Sequence, residues 1–234
     1  MQLQVKDVAK LFSVSEKTIY RWIDQDGLPA FRINKQYRFN RVEVIEWATA
    51  RKVNASPQLF HEPSDEGEPL PGLVQAIEEG GVFYRVDGAD KDAVLRRVVS
   101  LLRLPETVDR DFLLQVLLER ESLGSTSVGD GIAIPHARNP IVLHVPRPSV
   151  TLCFLEHPIE FGALDGKPVN TLFTVISPTI RAHLHVLSSL AFALHDTRFK
   201  QAILEQASRE TIHNETRRAA ATLAAIPSAS GKKF

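Results

Sequence analysis

Apolar positions follow helical spacing at the start of this chain and an alternation of helix and strand periods further on. Val5, Val8, Ala9, Leu11 and Phe12 predict a short helix. After the turn Ser13-Val14-Ser15 a second helix opens with Ser15 as its N-cap and runs to about residue 24. Its inner face carries Ile19, Trp22 and Ile23, while Glu16, Lys17, Thr18, Tyr20 and Arg21 lie outside. Gly27-Leu28-Pro29 breaks that helix. Residues 30–33 and 37–39 then alternate about Asn34-Lys35-Gln36 as the arms of a hairpin do, and Asn40 is placed to cap a third helix through Val44, Ile45 and Trp47. Two short helices around a tight turn, followed by a hairpin, predict a small winged helix-turn-helix unit.

Beyond residue 72 the two periods alternate. Helices are expected over 73–79, 91–103 and 109–121 and from Ile180, Phe199 and Ser208. Strands are expected over 82–86 and 172–176 and at Ile132 and Val150. The predicted class is α/β, a mixed β-sheet flanked by helices and preceded by the small winged unit. Residues 55–72 read differently, rich in proline, with four carboxylates and no lysine or arginine, and are expected to form a flexible acidic tether. The expected organisation is therefore 1–54 helix-turn-helix, 55–72 linker, 73–225 α/β domain and 226–234 frayed tail.

Charge sharpens this division. The 234 residues carry 28 basic and 28 acidic side chains, a net charge of +0, yet residues 1–54 hold ten Lys/Arg against six Asp/Glu. A positive balance local to the helix-turn-helix suits a polyanion such as duplex DNA, and any binding through phosphates would weaken with salt. The single cysteine, Cys153, cannot form an intramolecular disulfide and fits a reducing compartment. With no signal peptide and no apolar run of membrane-spanning length, the expected location is cytoplasmic and no membrane partner is expected.

Candidate chemistry gathers around Gly129-Asp130-Gly131-Ile132-Ala133-Ile134-Pro135-His136. A short apolar strand stopped by proline sends the next side chain out of the sheet edge in a defined direction. That pattern displays a histidine nucleophile, and it equally describes a capped core strand with an incidental histidine. A neutral imidazole is nucleophilic near pH 7 and forms a high-energy phosphoramidate, so phosphoryl exchange through it is reversible. Transfer to His136 requires a reachable ring and a cation nearby to hold the phosphoryl oxygens; Arg120 supplies the matching fork, with an exposed ion pair as its other reading. His183 opens a helix whose apolar stripe runs Leu184, Leu187, Leu190, Ala191 and Leu194, with His185 as a neighbouring alternative. Ser125 and Thr126 can donate hydroxyl hydrogen bonds to a phosphate, although Gly124-Ser125-Thr126 is equally a turn. No metal is expected, since His183 and His185 at i, i+2 fall on different helix faces. His61, His144, His157, His195 and His213 sit in polar or loop contexts and are assigned no role. No Gly-x-Ser-x-Gly elbow supports a serine hydrolase, and Cys153 lies within an apolar run.

Taken together, Arg120-Glu121, Gly124-Ser125-Thr126, the segment ending in His136 and the stretch from Ala182 through His183 and His185 to Ala191 resemble the phosphotransferase-system enzyme IIA family of mannitol, fructose and nitrogen-regulatory type. The resemblance covers about residues 70–225. It implies that His136 carries the phosphoryl group on Nε2, that Arg120 stabilises it and that His183 is a second active-site histidine. It also implies an HPr-type phosphocarrier as donor and no cofactor. Residues 1–52 resemble the excisionase or MerR-like winged helix-turn-helix family through Val5-Lys6-Asp7-Val8-Ala9, Val14-Ser15-Glu16-Lys17-Thr18-Ile19-Tyr20-Arg21-Trp22 and Leu28-Pro29-Ala30-Phe31-Arg32-Ile33. That likeness implies Lys17, Thr18, Tyr20 and Arg21 in the major groove of duplex DNA, with Arg32, Lys35 and Arg38 on phosphates. A DNA module joined to a phosphoacceptor suggests regulation. The alternatives are a sugar-transport phosphocarrier donating to a IIB unit and a non-catalytic module that binds a regulatory target protein.

Overall fold

The computed structural model describes residues 2–33, 36–51, 53, 70–137 and 145–225. Lys35, the hairpin tip Asn34-Lys35, His61, His144, most of the acidic linker and the C-terminal tail fall outside those residues.

The first unit begins with a strand the periodicity did not indicate, β1 (Gln2–Gln4), followed by helix α1 (Val5–Leu11) and helix α2 (Glu16–Gln25). Ser15 caps α2 as expected, its hydroxyl accepting from Thr18 N at 3.2 Å. Strands β2 (Phe31–Ile33) and β3 (Gln36–Asn40) are the antiparallel wing, and β1 adds to the outer side of β3, giving the order β1-β3-β2. Helix α3 (Arg41–Ala50) closes the unit. Phe12 packs edge-on against Trp22 and Trp47, which are tilted 45° to each other, with centroids 5.2–6.0 Å apart, in a core shared with buried Ile19 and Phe39.

The second unit contains α4 (Leu73–Gly80), β4 (Val82–Val86), α5 (Lys91–Leu101), α6 (Arg110–Ser122), β5 (Ser127–Gly129), β6 (Ile132–Ala133), β7 (Ser149–Ile159), β8 (Val169–Ile176), α7 (Ile180–His195), α8 (Thr197–Leu204) and α9 (Arg209–Ala225). Its sheet is mixed, in the order β4-β7-β8-β6-β5, with β4–β7 and β6–β8 parallel and β7–β8 and β5–β6 antiparallel. Alternation along β7 divides two cores. Val150, Leu152 and Phe154 pack with α4, α7, α8 and α9, whereas Cys153 and Leu155 pack with α5 and α6. This is the expected mixed sheet flanked by helices.

Helix α7 departs from the expected single stripe. Leu184 is only half-buried, whereas His183 and the run from Val186 to Ala191 are buried. The reason is tertiary, because α7 is covered twice. Val186, Leu187, Leu190 and Leu194 face the sheet core, and Ala191 joins the core of the N-terminal unit with Phe192 packed on it.

Candidate functional site

Helix α6 starts at Asp109, whose carboxylate accepts from Phe112 N at 2.9 Å, and its last turn delivers Arg120 and Glu121 side by side. Arg120 Nη1 donates to Gly124 O at 2.8 Å, which ties the guanidinium to the turn that follows the helix. Glu121 points inward and is buried. Its carboxylate accepts from the backbone N–H of Thr126 at 3.3 Å and from the Thr126 hydroxyl, and Lys91 Nζ stands 3.6 Å from Oε2. Burial pushes the Glu121 carboxyl above its ordinary value, partly offset by Thr126, Lys91 and Arg120. Lys91 also lies 4.7 Å over the Phe161 ring.

The chain then reverses through Gly129, Asp130 and Gly131, all in the left-handed region with φ of 85°, 54° and 76°. Asp130 is held there by Lys167 and Lys200 at 3.1 and 2.6 Å, and its N–H donates to Asp165 at 2.9 Å. Strand β6 is only two residues long, yet the extended line continues past it. Ile134 N donates to Thr126 O, Val175 N donates to Pro135 O, and His136 bridges Val175 in parallel. The ring of His136 is oriented by its own segment, with Nδ1 2.7 Å from Ile134 O. A carbonyl only accepts, so Nδ1 carries the hydrogen and the lone pair of the neutral ring resides on Nε2.

His183, in the first turn of α7 behind the Thr179 cap, brings its ring centroid to 5.3 Å from that of His136 at an interplanar angle of 43°. Arg120, Ser125, Thr126 and His136 line one cavity of about 550 Å³. The hydroxyls of Ser125 and Thr126 border it but are engaged, Ser125 donating to Phe161 O at 2.8 Å and Thr126 to Glu121. The ring at the exit of the strand was expected to be open to an incoming donor. Instead His136 is 2% exposed, and Glu43, Ile45 and Trp47 of α3 line the same cavity. Helix α3 of the N-terminal unit thus shares the wall of this cavity with the domain that carries the histidine.

On the helix-turn-helix, Lys17, Tyr20 and Arg21 are exposed on α2, while Thr18 is half-buried with its hydroxyl 3.0 Å from that of Ser15. Arg32 stacks 4.7 Å over the Tyr37 ring and donates to the Tyr37 hydroxyl at 2.7 Å. Tyr37 in turn meets Tyr20 with centroids 5.9 Å apart, joining the wing to α2. Arg38 donates to Gln36 Oε1 at 2.8 Å and to Tyr37 O at 3.1 Å. Lys35 lies outside the described residues.

Sequence reasoning did not single out Glu121, Lys91 or Glu43. Glu121 was visible only as the neighbour of Arg120, and nothing along the chain connects Lys91 or Glu43 to a site so many residues away. Among the described residues no three His, Cys, Asp or Glu side chains cluster as a metal ion would need. No helix among them is long and apolar enough to cross a membrane.

Residues 75–217 match the family described as phosphoenolpyruvate-dependent sugar phosphotransferase system, EIIA 2, and residues 3–52 match a helix-turn-helix domain family. The nitrogen regulatory protein of Pseudomonas aeruginosa is 36% identical over 126 residues, 52% of this chain and 79% of its own length. The fructose-specific EIIA component of the PTS system of Haloferax volcanii is 37% identical over 108 residues, 45% of this chain and 68% of its own. The crystal structure of nitrogen regulatory protein IIA-Ntr from Neisseria meningitidis superposes with a TM-score of 0.51 at 27% identity, covering 63% of this chain and 95% of that one.

Proposed function

Because the chain belongs to the EIIA 2 family of the phosphoenolpyruvate-dependent sugar phosphotransferase system, we propose that His136 accepts a phosphoryl group from an HPr-type phosphohistidine carrier and thereby regulates through a DNA-bound N-terminal module. One observation carries this reading: the hydrogen bond from His136 Nδ1 to Ile134 O leaves the Nε2 lone pair on a ring that shares a cavity with Arg120. In the transfer, the P–N bond of the donor ring breaks as the bond from phosphorus to His136 Nε2 forms. Each ring keeps the hydrogen on its other nitrogen, so the positive ring charge passes from donor to acceptor, where Ile134 O stabilises the Nδ1–H. Arg120 holds the equatorial oxygens, and His183 orients the acceptor ring by packing against it.

Lys17, Tyr20 and Arg21 on α2, with Thr18 at its start, are the groove-side residues of this reading, and Arg32 and Arg38 the phosphate-side ones, as would be Lys35. Similarity to a fructose-specific EIIA component supports a second reading, in which the phosphoryl group passes on to a IIB unit.

Incubation with a phosphorylated HPr-type carrier tests the site. The wild-type chain is expected to become labelled and His136→Ala to remain unlabelled. Arg120→Ala should label roughly 10- to 150-fold more slowly, the equivalent of losing a charge-assisted contact of about 1.5–3 kcal/mol. Equal labelling of the His136→Ala chain overturns the assignment. Onward transfer to a IIB partner without retention on DNA at low salt selects the second reading.

A further inference from the structure

The cavity that holds His136 is built from two parts of the chain that are far apart in sequence. Arg120, Ser125 and His136 border it on one side, and Glu43, Ile45 and Trp47 of α3 on the other. Helix α3 packs on β5 and α7. Ala191 of α7 is buried in the core of the N-terminal unit, and Phe192 and Leu223 pack against that core. A carrier protein must bring its own phosphorylated ring in line with Nε2, with reacting atoms about 3–3.5 Å apart. A ring 2% exposed, in a cavity that α3 helps to wall, leaves a protein carrier no room for that approach.

We propose that α3 of the N-terminal module caps the phosphoacceptor face, so that capping and phosphorylation of His136 exclude one another and α3 competes with the carrier for that face. The inference rests on His136 being the phosphoacceptor. Charge acts in the same direction as sterics. A phosphoryl group adds about −1.5 to −2 charges, and it would enter a cavity lined from α3 by acidic Glu43 and apolar Ile45 and Trp47. Among the described residues lining the cavity Arg120 is the one lysine or arginine, so the added charge meets a single cation and an acidic residue on the α3 side. Phosphorylation therefore holds the cap off once the carrier has displaced it. Closure leaves the other face of the module outside, since Lys17, Tyr20 and Arg21 are exposed in the capped form. The capped chain thus has an accessible α2 and an inaccessible His136.

The test uses two full-length variants and the phosphorylated HPr-type carrier. Phe192 of α7 packs against the N-terminal core and is not among the residues lining the cavity, so Phe192→Asp drives the modules apart while adding no side chain to the site. A closed population of about 90% slows labelling about tenfold, so Phe192→Asp is expected to label about tenfold faster than wild type. The double variant Thr49→Cys, Val128→Cys, bridged through its two thiols by a short cleavable reagent, is expected to resist labelling until the bridge is cut. The native Cys153 does not interfere, being buried with its thiol pushed up to about 12. Prior phosphorylation should reduce the yield of bridging. Equal labelling of wild type, Phe192→Asp and the bridged chain overturns the cap and leaves the phosphoacceptor reading standing. If none of the chains is labelled, the phosphoacceptor reading itself fails, and the cap with it.

Discussion

Glu121 is a buried carboxylate with an ordinary value of 4.5 that desolvation raises, against the pull of Thr126, Lys91 and Arg120. In the unfolded chain the same group loses its proton at lower pH, so between 4.5 and the raised value the folded state binds more protons. Stability from this residue is therefore fully present below pH 4.5 and falls as pH rises through the raised value. Glu121→Gln keeps an acceptor for the Thr126 hydroxyl and removes the titration. Denaturant unfolding of both proteins at several pH values should show the wild type losing stability relative to the variant as pH rises, and parallel curves would contradict the assignment. The Arg120-Glu121 pair was legible in the sequence as a motif. That one member turns in to brace Thr126 while the other reaches the cavity depends on the rotation of α6 over its core, a matter of packing.

Among the elements, the hairpin between β5 and β6 does most to place His136. Gly131 sits at φ 76°, and a Cβ there would lie 3.2 Å from Asn170 Oδ1. Gly131→Ala should then destabilise the chain by about 1–2 kcal/mol, from the left-handed backbone, with some added crowding. For a chain of this size that corresponds to a fall in Tm of roughly 2–8 °C, read by a thermal scan, and an unchanged Tm would show that the turn relaxes freely. Helices α2, α5, α6 and α7 were legible because ten or more residues give a period and a cap room to show. Strand β6 was legible from its apolar run before Pro135, whereas strands β1 and β5, of three residues each, were not. So few positions carry no alternation, and partners distant in the chain define them.

Over the whole molecule, a net charge of +0 hides a balance of ten basic to six acidic side chains in residues 1–54. Under the DNA-binding proposal, retention on duplex DNA should fall steeply as salt rises. Arg38→Ala should reduce the slope of log affinity against log salt by about 0.9, the share of one phosphate contact. An unchanged slope would place Arg38 away from the backbone. The same scale explains why the stripe expected on α7 was incomplete: the helix is covered by its own sheet and by the N-terminal core, and a helix buried on two sides shows no single apolar face.

Local chemistry was written along the chain: the capped helix at Ser15, the proline stop before His136, the arginine beside Glu121 and the change of period near residue 54 each act over a few residues. The cavity that α3 shares with the histidine, the pairing of His136 with His183 and the link between Lys91 and Glu121 arose from folding. Those contacts join residues dozens of positions apart, and their geometry comes from which apolar faces find each other. No local period records that choice.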